Sequence, residues 1–111
     1  MRSIGMALDL REGAEVVEKY KEYHRAVWPE VKAALREIGV TEMKIFLLGR
    51  HLFMYMQVPD DFEASRDFPR YMEAALAKEW DKLMRGFQQK VPEAGSGEWW
   101  AEMEEVFDLD W

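Results

Sequence analysis

Tyr20 and His24 stand four residues apart in the stretch Glu18-Lys19-Tyr20-Lys21-Glu22-Tyr23-His24-Arg25-Ala26-Val27-Trp28-Pro29-Glu30, so on a helix they share one face. An imidazole gives and takes a proton near neutral pH, and a phenol hydroxyl both donates and accepts hydrogen bonds. Side by side, the two can do acid/base work on a small bound molecule. The chain has only one other histidine, His51. Pro29 follows five residues after His24. It lacks an N–H, its ring crowds the carbonyl of Arg25, and it disfavours helical angles at Trp28. The helix must break there, which frees backbone carbonyls beside His24 and gives a physical reason for a pocket. The end of a helix favours the protonated imidazole, whereas burial favours the neutral one. A Tyr–His pair at this spacing also occurs in ordinary cores, and spacing alone leaves core and site equally open.

Tryptophans are the second theme, five in 111 residues. Sugars lie with their C–H faces on aromatic rings while their hydroxyls meet polar groups, and Trp28, Trp80, Trp99 and Trp100 permit such a site. Each has a plainer reading. Trp80 falls in an apolar helical stripe, and Trp99-Trp100 fit loop packing or a dimer contact as well as a lid. The polar residues at possible wall positions are Glu42, Glu79, Gln88, Gln89 and Glu105, although most surface carboxylates serve solvation. A metal is not expected: His24 and His51 lack ligand spacing, and no HExxH motif or carboxylate cluster of an accepted kind is present. Gly-rich phosphate loops and Gly-x-Ser-x-Gly are missing too. With no cysteine, thiol catalysis, disulfides and thiolate metal sites are ruled out. No cofactor is expected. The net charge of −7 without a Lys/Arg cluster argues against nucleic acid and against an anionic membrane surface. No apolar run reaches 18 residues and the N-terminus has no apolar h-region, so a cytoplasmic protein is expected.

The elements that position these residues follow from periodicity, within one domain spanning residues 1–111. Residues 3 to 10 alternate, with Ile4, Met6, Leu8 and Leu10 on one face, as in a half-buried strand. Gly5 and Ala7 leave room on the other face, for a closely packed helix or for a pocket floor. Residues 12 to 38 carry helical spacing, with a first helix ending near Ala26, a second starting at Pro29, and Gly39 suited to its C-terminal cap. Residues 41 to 48 and 51 to 58 read as a hairpin with a two-residue type II′ turn at Gly49-Arg50. Residues 62 to 88 read as helix interrupted near Phe68-Pro69, with a buried stripe of Met72, Leu76, Trp80, Leu83, Met84 and Phe87. A loop follows over residues 91 to 98, and residues 102 to 109 alternate again as a last strand. The order is β-α-β-β-α-β, a ferredoxin-like α+β fold: a four-stranded antiparallel sheet with helices on one face. The other face also carries aromatics (Phe46, Phe53, Tyr55), so a second copy of the chain is expected to cover it in a homodimer.

The block Tyr20-x-x-x-His24-x-x-x-Trp28-Pro29-Glu30, set in a chain of this length and order, resembles the L-rhamnose mutarotase family, from the first strand to Glu105-Val106-Phe107. The resemblance implies a homodimeric ferredoxin-like enzyme, a dimeric α/β barrel, that interconverts the α and β anomers of a monosaccharide. It implies His24 as proton donor, Tyr20 as a sugar-binding tyrosine and Trp80 as one of two adjacent sugar-binding tryptophans. Two positions depart from the rhamnose enzymes: Met43 stands in place of a sugar-binding tyrosine, and Glu79 in place of the first tryptophan. The pieces Glu42-Met43-Lys44-Ile45, Leu52-Phe53-Met54, Glu79-Trp80, Leu83-Met84 and Phe87-Gln88-Gln89 look like a sister group of L-fucose mutarotase-like proteins. The implied substrate is therefore a 6-deoxy-L-sugar, L-fucose ahead of L-rhamnose. Trp28, Glu105 and Trp99 are further candidates for the sugar's surroundings. Ring opening needs a proton onto the ring oxygen, assigned to His24, and one off the anomeric hydroxyl. The second group is open among Tyr20, Glu79, Glu105, water and a freed carbonyl. Two competing readings use the same scaffold: a cofactor-free monooxygenase, and a non-catalytic sugar-binding or assembly module.

Overall fold

In the computed structural model, which describes residues 1–111, the chain runs β1 (Arg2–Leu10), α1 (Ala14–His24), α2 (Pro29–Glu37), β2 (Glu42–Leu48), β3 (His51–Val58), α3 (Ala64–Tyr71), α4 (Ala75–Arg85), β4 (Gln88–Gln89) and β5 (Ala101–Met103). All strand pairs are antiparallel, in the order β2-β3-β1-β4, with β5 also on β1. The molecule is thus an α+β protein with four helices on an antiparallel sheet.

The fourth strand departs from expectation. Asp9 and Leu10 pair with β4, while Gly5, Met6 and Ala7 pair with β5. Two short strands share the place of one, and residues 90–100 loop out between them. The alternation over residues 102 to 109 does not become a strand beyond Met103. The register sets a limit: Met103 already lies opposite Gly5, so β1 could carry the pairing no further than Val106 opposite Arg2. Past that point the tail has no edge to pair with, and Val106, Phe107, Leu109 and Trp111 stay exposed.

The alternation of β1 puts Ile4, Met6, Leu8 and Leu10 under the helices, all buried. They divide between two clusters. Ile4 and Met6 join Met54, Met56, Val58, Ile38, Val40 and Phe62. Leu8 and Leu10 join Leu52, Tyr20, Val31, Trp80 and Met84. The candidate chemistry therefore sits in the core, at the end of β1 that pairs with β4.

The proline break is present. Trp28 is extended (ψ 133°) and Pro29 opens α2, while α1 ends at His24, two residues short of the expected Ala26. α2 closes on Gly39 at φ +106°, where the Gly39 N–H donates to Arg36 O (3.0 Å) and the Val40 N–H to Leu35 O (3.1 Å). These are the two bonds of a Schellman cap. A Cβ on Gly39 would lie 2.9 Å from Pro59 Cδ, in a backbone conformation that side chains avoid. Gly39→Ala is therefore expected to destabilise by about 1–3 kcal/mol, read as a lower urea midpoint at unchanged slope.

The later helices correct two expectations. The interruption lies at residues 72–74, not at Phe68-Pro69, and Pro69 is inside α3. Sixth of the eight residues of α3, Pro69 leaves the Ser65 carbonyl without its usual donor. The extended Ala74 resets the phase, so α4 buries Ala77, Trp80 and Met84 and leaves Leu76 44% exposed. α3 is fixed at its start by buried Asp67, which accepts from the Glu63 N–H (2.9 Å), Arg66 and Arg70. Those donors hold its carboxyl well below the usual carboxylate range.

The hairpin closes as expected, with Leu48 opposite His51 and Gly49 at φ +62°. Arg50 is not in a positive-φ conformation, which excludes a type I′ turn and fits type II′. On the sheet face away from the helices, Gly5 seats the Phe53 ring, 2.9 Å from where a Cβ would lie. It serves neither a helix nor a pocket floor. Phe53 stacks on Phe46 at 6.1 Å, and within one chain both stay exposed.

Candidate active site

α1 carries Tyr20 and His24 one turn apart, and their rings meet at 4.3 Å between centroids. His24 Nδ1 lies 2.8 Å from the Tyr20 carbonyl oxygen. A carbonyl only accepts, so Nδ1 carries the proton and donates it. The neutral ring then has a bare lone pair at Nε2. Nε2 makes no hydrogen bond to the protein, and the ring is half-buried. Burial lowers the His24 pKa below its ordinary value, while the bond to the Tyr20 carbonyl pulls in the other direction.

α4 supplies the facing wall. Trp80 is buried and meets His24 edge-on at 5.4 Å, Trp28 at 5.2 Å and Tyr23 at 6.2 Å. Phe87 closes the group, 5.8 Å from Tyr23 and 6.5 Å from Tyr20. The extended Trp28 at the proline break is what swings its indole against Trp80 rather than along a continuing helix.

β4 supplies the polar end. Gln88 lies opposite Leu10, so its side chain enters the core between sheet and α1. Its Nε2 donates to Tyr20 Oη (3.0 Å), and its Oε1 accepts from Trp99 Nε1 (2.7 Å). Burial pushes the Tyr20 hydroxyl up to about 12, so it stays a neutral phenol. Gln88 and Trp99 also border a solvent-open concavity of about 460 Å³ with Arg11, Arg50 and Lys90; Tyr20, His24 and Trp80 do not line it.

The structure thus brings together Tyr20, His24, Trp28 and Trp80, with Trp99 one hydrogen-bonded residue away in the same chain. It does not gather the others. Met43 packs partly buried against the cluster around Ile4, Glu79 is exposed on α4, and Glu105 is exposed in the tail beyond β5. No group of three or more His, Cys, Asp or Glu side chains is placed to hold a metal. Tyr23 and the full part played by Gln88 are not visible in the sequence reading. A glutamine directly after a partly buried aromatic, just past the end of a helix, is the signal available for Gln88.

Aromatic rings packed around one histidine, on an antiparallel sheet in the order β2-β3-β1-β4, define a class of small α+β domain. The sequence matches the profile of L-rhamnose mutarotase over residues 3–109. A UPF0734 protein of Dictyostelium discoideum is 53% identical over 99% of this chain and 91% of its own length. The L-fucose mutarotase of Xanthomonas campestris is 34% identical over 98% of this chain and 89% of its own. The crystal structure of an L-rhamnose mutarotase from Formosa agariphila superposes with a TM-score of 0.70 at 26% identity, covering 98% and 99% of the two chains. The chain belongs to the L-rhamnose mutarotase family, whose named members are isomerases acting on carbohydrates. No helix is long and apolar enough to cross a membrane.

Proposed function

We propose that the chain is a sugar mutarotase that interconverts the α and β anomers of a 6-deoxy-L-sugar, L-fucose ahead of L-rhamnose. The observation that carries this reading is the fixed His24 tautomer, with Nε2 free beside the ring of Trp80. The preference for L-fucose rests on the 34% identity to an L-fucose mutarotase and, as the resemblance implies, on Glu79 and Met43 standing in place of aromatic sugar-binding residues of the rhamnose enzymes.

Ring opening moves one proton from the anomeric hydroxyl to the ring oxygen while the bond between the anomeric carbon and that oxygen breaks. Both oxygens are bonded to the same carbon, so one nitrogen can serve both. Neutral His24 takes the hydroxyl proton at Nε2, and the imidazolium gives it to the departing ring oxygen. The aldehyde rotates and the ring closes by the reverse steps onto its other face. No cofactor, metal or covalent intermediate enters this balance. Trp80 and Trp28 offer apolar surface to the sugar's C–H face, and Tyr20 a hydroxyl. A second copy of the chain would cover Phe46 and Phe53 in a cytoplasmic homodimer.

The test is anomer exchange measured by NMR at the anomeric protons of L-fucose and L-rhamnose. Acceleration is expected for both and more for L-fucose; unaccelerated exchange of both sugars would remove the proposal. A pH series adds a signature. Because the His24 pKa lies below 6.5 and the neutral ring starts the cycle, kcat/KM should rise with pH through one apparent pKa below 6.5 and stay flat above it. Stability shares the sign. Between the folded and unfolded His24 values the unfolded chain binds more protons, so acidification through that window weakens the fold. A rate that instead falls as pH rises through 6.5 would assign the resting state to the imidazolium.

A further inference from the structure

We infer that Gln88 and Trp99 are positioning residues that set the direction of the Tyr20 hydroxyl, making Tyr20 a hydrogen-bond donor to the bound sugar. The inference rests on the mutarotase reading for the identity of the ligand, and on hydrogen-bond chemistry for the rest.

The hydrogen bonds run from Trp99 through Gln88 to Tyr20. An indole N–H can only donate. The atom of Gln88 that faces it at 2.7 Å must therefore be the amide oxygen, which leaves the amide NH₂ facing Tyr20 Oη at 3.0 Å. An amide nitrogen cannot accept, so Tyr20 accepts from Gln88 and its own proton points elsewhere. No other protein group bonds Tyr20 Oη, so the proton is left for a ligand. Each link is held. Gln88 is 4% exposed, and its backbone is anchored to β1 opposite Leu10 and by a bond from Arg11 Nε to the Gln88 carbonyl (3.1 Å). The Trp99 ring is clamped by the Arg85 guanidinium at 4.7 Å and faced by the Lys90 ammonium at 5.9 Å. Buried amides with both ends occupied do not flip without losing both bonds.

The consequence is a division of labour. Tyr20 is excluded as the base for the anomeric hydroxyl, since it arrives as a neutral phenol whose proton is not taken up by Gln88. It can stabilise negative charge growing on a sugar oxygen as His24 carries the transferred proton.

Gln88→Glu tests the direction itself. A carboxylate accepts from both Trp99 and Tyr20, so it turns the Tyr20 proton inward and presents only lone pairs to the sugar. The expected loss in kcat/KM for L-fucose is roughly 10–100-fold at neutral pH. A protonated glutamic acid can again donate to Tyr20, so the ratio of variant to wild type should recover as pH falls. Gln88→Leu removes the bond without reversing it and should show a smaller loss whose ratio to wild type is independent of pH. Equal losses for the two variants at every pH, or wild-type rates for both, would overturn the inference. Trp99→Phe covers the case in which position 88 does not tolerate change. It should lower kcat/KM by roughly 3–10-fold alone and cost nothing further when combined with Gln88→Leu. Additive losses would overturn a relay. The Trp99 indole N–H resonance reads the relay with no sugar present: it should be protected from exchange in wild type and lose that protection in Gln88→Leu. Protection with no anomer exchange would remove the mutarotase reading and keep the relay; an unprotected indole in an active enzyme would do the reverse.

Discussion

Replacing His24 by alanine is expected to slow L-fucose anomer exchange by about 10²–10⁴-fold, the usual contribution of one placed acid/base group. The cause is local. Nδ1 is committed to the Tyr20 carbonyl, so the whole proton-transfer capacity of the ring is at Nε2, and no protein group hydrogen-bonds that atom. His24→Asn separates this from simple positioning. An asparagine amide can still donate toward the Tyr20 carbonyl but has no titrating nitrogen. It should therefore be as slow as the alanine variant, and both should lose the acid limb of the pH profile. The two variants should melt close to wild type, because the ring is only half-buried. Exchange at wild-type rate in either variant would take His24 out of the mechanism.

Trp80→Ala carries the largest expected effect on the fold, about 3–5 kcal/mol by the measure of buried aromatic truncations. A domain of this size has only about 5–15 kcal/mol in total. Trp80 is buried between His24, Trp28 and Tyr23, and it belongs to the same cluster as Leu8, Leu10 and Met84. Its removal leaves a cavity under the sheet and takes away the ring against which His24 rests. Urea unfolding would show the loss as a lowered midpoint. Trp80→Phe keeps most of the packing, so its midpoint should fall much less. A Phe variant that stays folded while its KM for L-fucose rises would show the indole in contact with the sugar. A variant with unchanged KM and kcat would make Trp80 a wall and no more.

Much of the frame could be read from the chain. The alternation of β1, the Pro29 break, the Gly39 cap and the Gly49-Arg50 turn are all local, because each is dictated by one residue's backbone chemistry or by a period. So was the meeting of Tyr20 with His24, which needs only the pitch of a helix. What escaped was set by distant partners. The last strand depends on how much of β1's edge remains, which no alternation within residues 102 to 109 can report. The phase of α4 depends on the extended Ala74, and with it the exchange of Leu76 for Ala77 in the core. Gln88 was one of several polar residues at possible wall positions, and its bond to Tyr20 could be seen only once the sheet placed it opposite Leu10, 68 positions from the tyrosine. Glu105 was credited with a place in a strand that ends two residues earlier.

The shared edge of β1 has a thermodynamic consequence. β4 and β5 are separate footholds of two and three residues, joined by a loop rather than by continuous ladder. Short footholds open at lower free energy than the central β1–β3 ladder. When β5 detaches, the segment bearing Trp99 loses its anchor while Gln88, Tyr20 and His24 keep theirs. Two melting events are then expected of one sequence. In the first the protein remains compact and helical but no longer aims its tyrosine; in the second it unfolds. Temperature would then disarm the enzyme before it denatured it.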